Sequence, residues 1–136
     1  MNQTLKNQFF QVFSITIIWV TLLLSLFTQS MEPNLLFLWR IIGIAVIAAL
    51  LFGVLYTSLW SYFTLPATAN IIISASLNLV GGLATVWLLS PEMFTRIFPW
   101  TLGMLVLSLI GHVLGFYVYA KRLNNRDVAH LNKLLK

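Results

Sequence analysis

Ser61-Tyr62-Phe63-Thr64-Leu65-Pro66-Ala67-Thr68 decides how this chain is folded. It lies near the centre of a run from Ile41 to Pro91 that holds no Asp, Glu, Lys or Arg. A hydrocarbon core about 30 Å thick is crossed by roughly 20 apolar residues in a helix. The run is therefore long enough for two crossings with a tight connection between them. Pro66 has no backbone N–H and its ring opposes the preceding helical turn, so the chain is expected to reverse here. Spans are expected at about 35–59 and 69–89.

Working outward, two more uncharged runs flank this hairpin, 7–31 and 97–120. Each holds one further span, at about 9–28 and 99–120. The first resembles a signal peptide in its weakly basic start and apolar run, but no small-x-small pattern follows, so an uncleaved signal anchor is the better reading. All four runs lack the two-residue alternation of barrel strands, and a four-strand barrel cannot close. The expected fold is an all-α membrane protein with four transmembrane helices, short loops and a C-terminal amphipathic helix. Residues 1–120 form the membrane domain and 121–136 a basic tail.

Composition agrees. The chain is 60% hydrophobic and 8% charged, against about 45–50% and 25% in soluble domains. That excludes a water-soluble globule, and disorder as well, since disordered chains are poor in apolar residues. Cysteine is absent, which removes disulfide scaffolds, thiolate metal sites and cysteine nucleophiles.

An even number of spans puts both termini on one side. Lys6, Lys121, Arg122, Arg126, Lys133 and Lys136 lie there, while Arg40 and Arg96 on the far side are offset by Glu32 and Glu92. The positive-inside rule then predicts cytoplasmic termini. Trp39, Trp87 and Trp100 fall at one interface; Tyr56, Trp60, Tyr62, Tyr117 and Tyr119 fall near the other. Local signals mark helix starts: Asn34 can cap the second span, and Ser90-Pro91-Glu92 reads as an N-cap, a Pro at N1 and an acid in the first turn of a short surface helix. Glu92 and Arg96 have helical i, i+4 spacing. Glu32 and Arg40 form the other candidate far-side ion pair.

No Asp, Glu, Lys or Arg lies inside a span, which argues against an ion-coupled path. His112 is the one ionisable candidate, nine residues before Lys121 and so roughly 13 Å inside that boundary. Asn78 stands at similar depth on the antiparallel neighbour, and an Asn78–His112 hydrogen bond is expected. It fixes helix packing in one reading and serves pH sensing or transport in another. Asn70, Ser74 and Asn78 share one face of span three. Gly111 and Gly115 form a small-xxx-small pair on span four, read as tight packing within the bundle, with a homodimer face or a substrate groove as alternatives. No nucleophile with a base, metal cluster or phosphate loop is visible, so neither enzymatic activity nor a cofactor is expected.

The tail repeats Val128, Leu131 and Leu135 at helical spacing, with Arg126, Lys133 and Lys136 away from that stripe. It is expected to continue span four or to bend along the bilayer surface. An anchor on anionic lipid and a docking face for a cytosolic protein are both open. Nucleic-acid binding is not expected of so short a segment.

Leu38-Trp39-Arg40-Ile41-Ile42 at the opening of span two, and Gly115-Phe116-Tyr117-Val118-Tyr119-Ala120-Lys121-Arg122 running on to Leu131-Asn132-Lys133-Leu134-Leu135-Lys136, resemble the small four-span bacterial membrane proteins encoded beside LytTR-type transcription regulators. The resemblance covers nearly the whole chain. It implies an inhibitor that restrains a cytosolic LytTR-type regulator, whose release activates its own operon and genes for bacteriocins or competence. In that reading Lys121, Arg122, Arg126, Leu131, Lys133 and Leu135 contact the partner, Leu131 and Leu135 as anchors. A small oligomeric transporter, channel or lipid flippase, and an accessory subunit of a larger membrane complex, are the alternatives.

Overall fold

A computed structural model describes the backbone of residues 2–27 and 35–134, with side chains at residues 3–26 and 35–122 and at Asn124, Asn125 and Val128. Its elements are α1 (Asn2–Phe27), α2 (Leu35–Ala48), a π-helical segment (Ala49–Tyr56), α3 (Thr57–Ser61), α4 (Ala67–Leu89), α5 (Pro91–Ile97), a 3₁₀ turn (Phe98–Trp100) and α6 (Thr101–Leu134). The protein is all-helical among the described residues. It has four helices long and apolar enough to cross a membrane: Gln3–Leu26, Leu35–Ser61, Ala67–Leu89 and Pro91–Arg122. The chain is thus a multi-pass membrane protein.

The connections follow local chemistry. Past Ser61 the helix ends on the Ser58 carbonyl, which accepts from the N–H groups of Tyr62 at 3.0 Å and Phe63 at 3.1 Å. Pro66 is extended (φ −60°, ψ 147°) and its carbonyl accepts the first α4 bond, from Asn70 N–H at 3.1 Å. Ser90 caps α5 as expected: its hydroxyl accepts from Met93 N–H at 3.3 Å, with Pro91 next and Glu92 in the first turn. Asn34, the expected cap of α2, lies outside the described residues.

Three features bear on the sequence reading. First, α1 begins at Asn2 rather than near residue 9, so Lys6 is already helical. Second, of the two courses expected of the tail, α6 takes the continuous one: it runs unbroken from Thr101 to Leu134, 34 residues in all. Its part beyond Ala120 adds roughly 20 Å of helix at 1.5 Å per residue. Third, the second span is not a uniform α-helix. Burial at Ile41, Ile44 and Ala45 projects at 3.6 residues per turn to residue 52. Leu51 and Gly53 are buried instead, and Phe52 is 45% exposed. The π segment widens the ladder and re-aims every side chain after it.

The helices pack in chain order. Among the described residues, α1 lies chiefly on α2 and the π segment, α4 on α2, and α6 on α4. No residue in the apolar window of the first or fourth span is buried inside the protein, so both present their surface to lipid. Contact between spans rests on small residues, because apolar lipid gives helices no hydrophobic reason to associate. Gly53 is the tightest backbone approach: a Cβ there would stand 2.9 Å from the Gln8 carbonyl oxygen and 2.9 Å from Phe9 Cα of α1. A Cβ at Gly43 would meet the Leu88 side chain, and one at Gly81 the Leu51 side chain.

Gly53→Ala is expected to push α1 off span two and to destabilise the protein by about 1–3 kcal/mol. Gly103→Ala, where an added Cβ meets nothing within 4 Å, is expected to be neutral or slightly stabilising through better helix propensity. Unfolding titrations in mixed micelles check the contrast.

Candidate functional site

The π segment and α3 carry Tyr56 and Trp60, one helical turn apart, to the side of span two that meets α4 and α6. The Tyr56 hydroxyl lies 2.8 Å from the Ser74 carbonyl oxygen and 2.7 Å from His112 Nε2. Trp60 Nε1–H donates to the Ser74 hydroxyl at 3.2 Å, and Ser74 is fully buried. On α6, His112 Nδ1 lies 2.7 Å from the Ser108 carbonyl oxygen, one turn back. Asn78 Nδ2 donates to the Ser108 hydroxyl at 3.4 Å, and that hydroxyl donates to the Ala75 carbonyl at 3.4 Å. Three spans are thus joined by one polar network within the apolar part of the membrane domain.

The partners fix the histidine tautomer. A carbonyl cannot donate, so the hydrogen of a neutral His112 sits on Nδ1 and Nε2 is an acceptor. The single Tyr56 hydrogen then faces two acceptors, Nε2 and the Ser74 carbonyl. Through these two contacts the Tyr56 hydroxyl links span two to both α4 and α6.

Two expectations are corrected here. Asn78 and His112 join the same network, but Asn78 bonds Ser108 while Tyr56 takes His112. The reason is the π segment: it turns Tyr56 inward, and a long phenol reaches Nε2 from span two. Gly111 and Gly115 do not serve tight packing. A Cβ at either would meet nothing within 4 Å, because α6 presents this face beside an open cleft. The close approaches fall on Gly43, Gly53 and Gly81 instead. Ser74 and Asn70 are buried, and Asn70 Oδ1 has no hydrogen-bond partner.

The cleft has a volume of about 620 Å³ and runs between α3 and α6, with Asn78 of α4 between them. Its lining changes along its length. Tyr56, Asn78, Ser108 and His112 sit deep in the membrane; Trp60, Phe116 and Tyr119 gather toward the terminus side. The Trp60 ring lies 6.0 Å from Phe116 and 6.2 Å from Tyr119, centroid to centroid. Tyr56, Trp60 and Ser108 were not singled out by the sequence as members of a site. The signal that points to them is paired i, i+4 spacing, Tyr56 with Trp60 and Ser108 with His112.

The far-side charges divide. Glu92 and Arg96 form the expected pair at 2.6 Å, with both side chains more than three-quarters exposed. A pair so solvated is worth about 0–1 kcal/mol. Arg40 donates to the Leu89 carbonyl at 3.1 Å, placing a cation on the C-terminal end of α4, where the helix dipole favours it. Glu32 lies outside the described residues. So does Leu135, together with the side chains of Arg126, Leu131 and Lys133. Lys121 and Arg122 are exposed on α6 just past the span. Among the described residues no group of His, Asp or Glu could hold a metal ion.

Tyr56→Phe and His112→Ala are each expected to destabilise the protein, with a coupling of about 0.6–1.7 kcal/mol in the double-mutant cycle. Zero coupling would show that the bond is not made in the membrane. No family model, no curated protein and no solved structure matches the chain, so the meaning of this cleft rests on its own residues.

Proposed function

We propose that this chain is a regulatory membrane protein that binds and restrains a cytosolic LytTR-type transcription regulator, with both termini in the cytoplasm. The observation that carries the reading is the continuity of α6 from Thr101 to Leu134. The tail continues the helix of the span with no loop between them. In this reading the helical tail offers its apolar side to a soluble partner. That side consists of Val128, Leu131 and Leu135 at helical spacing. In this reading Leu131 and Leu135 anchor the partner, and Lys121, Arg122, Arg126 and Lys133 orient it and speed its arrival. Basic residues on the terminus side support the orientation.

The detergent-solubilised protein is expected to retain a LytTR-domain regulator in a pull-down. Leu131→Asp with Leu135→Asp is expected to weaken retention about tenfold or more, equivalent to at least 1.4 kcal/mol, and to raise transcription from the regulator's own promoter. Failure of the intact protein to retain the regulator would sink the reading.

A second reading draws support from the polar cleft between spans two and four: a small transporter or lipid flippase. Proteoliposomes holding wild type or His112→Ala separate the two. Flux of a lipophilic dye that is lost in the variant favours transport, and no flux from either protein ends that reading.

A further inference from the structure

We propose that the cleft between spans two and four binds a neutral, membrane-dissolved molecule with a flat polar head, a ring bearing carbonyl or hydroxyl groups on an apolar body, as in the quinones. The inference stands apart from the regulator reading, since it rests on the cleft alone.

The charge of the occupant follows from the lining. No Asp, Glu, Lys or Arg borders the cleft, so an ionic head would be desolvated there without a counter-charge. A volume of about 620 Å³ falls within the range of small-molecule sites.

The polarity of the occupant follows from bonds left unmade. Asn78 makes one hydrogen bond, at 3.4 Å to Ser108, and Ser108 donates at 3.4 Å to Ala75. Both are at the long limit for such bonds. The Asn78 carbonyl oxygen and its second N–H have no partner among the described residues, and lipid supplies none at this depth. A ring carbonyl accepts from that N–H, and a ring hydroxyl donates to that oxygen.

Shape and direction complete the argument. Gly111 and Gly115 leave a strip of α6 backbone bare, with open space where each Cβ would be. A flat group can lie on that strip beside the Trp60 and Phe116 rings. The polar end of the cleft is the deep end, near Ser108 and His112, and its aromatic end faces the interface. A phospholipid has the reverse order, with its charged head at the surface. The occupant is therefore a lipophile whose polar head sits below the headgroup layer.

The test uses the full chain in lipid nanodiscs, with Trp19, Trp39, Trp87 and Trp100 replaced by Phe so that Trp60 alone reports. The probe is 2-methyl-1,4-naphthoquinone carrying a decyl chain. Saturable quenching of Trp60 is expected, weakened tenfold or more by Gly111→Leu or Gly115→Leu and unchanged by Gly103→Leu. All three glycines have room for a Cβ, and circular dichroism checks that each variant is folded. Equilibrium dialysis on the chain with its native tryptophans repeats the comparison should the Phe substitutions disturb it. Three results overturn the proposal: quenching that never saturates and is equal in all variants, tighter binding of decyltriphenylphosphonium than of the neutral probe, or dissociation of a homodimer by Gly115→Leu, which would make a second copy the occupant.

Discussion

Lipid offers no hydrogen-bond partner, so a polar side chain placed within a span must find its partner on another helix. Tyr56 meets this constraint by touching two helices at once: its hydroxyl lies against the Ser74 carbonyl of α4 and His112 Nε2 of α6. Packing alone joins neighbouring spans in chain order, α1 to α2, α2 to α4 and α4 to α6. The Tyr56–His112 bond is the polar contact that crosses this order and ties span two to span four. It also sets the width of the cleft, because the same two residues form its opposing walls. Were the phenol absent, the hold of span two on α6 would fall to the Trp60 ring against Phe116 and Tyr119.

That bond depends in turn on the π segment. A regular α-helix through Leu35–Ser61 would keep the stripe of Ile41, Ile44 and Ala45 running to residue 52. The wider turn at Ala49–Tyr56 buries Leu51 and Gly53 and aims Tyr56 and Trp60 at the polar network. Gly53 is what lets the widened segment sit directly on the α1 backbone. One irregular segment thus produces both the closest backbone approach at any described glycine and the only described three-helix polar junction.

The sequence made the spans legible because charge is excluded from hydrocarbon at every depth, so the gaps between Lys6, Arg40, Glu92, Arg96 and Lys121 mark the crossings by themselves. Pro66 and Ser90 were equally readable, since each acts on backbone groups within its own turn. The site was legible only in part. Asn78, Ser74 and His112 stood out as polar residues in apolar runs. Which of them meet was not readable, because partner choice depends on helix rotation, and the π segment at Ala49–Tyr56 has no proline or charged residue to announce it. The glycines misled for a related reason. Composition cannot separate a glycine that admits a neighbouring backbone, such as Gly53, from one that leaves a surface bare, such as Gly115.

The continuity of α6 links the cleft to the cytoplasmic arm in the proposed orientation. His112 and Leu134 belong to one helix and are separated by roughly 33 Å at 1.5 Å per residue. No loop lies between them, so displacement at the cleft is passed along the helix toward its end. A tilt of about 10° at His112 moves Leu134 by roughly 6 Å over that length. The Tyr56–His112 bond is one restraint on such a tilt, at about 0.6–2 kcal/mol for an interhelical hydrogen bond in a membrane, and the packing of α6 on α4 with the Asn78–Ser108–Ala75 bonds is another. Gly111, His112 and Gly115 line the cleft from the same helix that runs on to Leu134. The physical consequence is that one wall of the cleft and the arm belong to a single continuous element, so a shift of that wall alters the position of the arm.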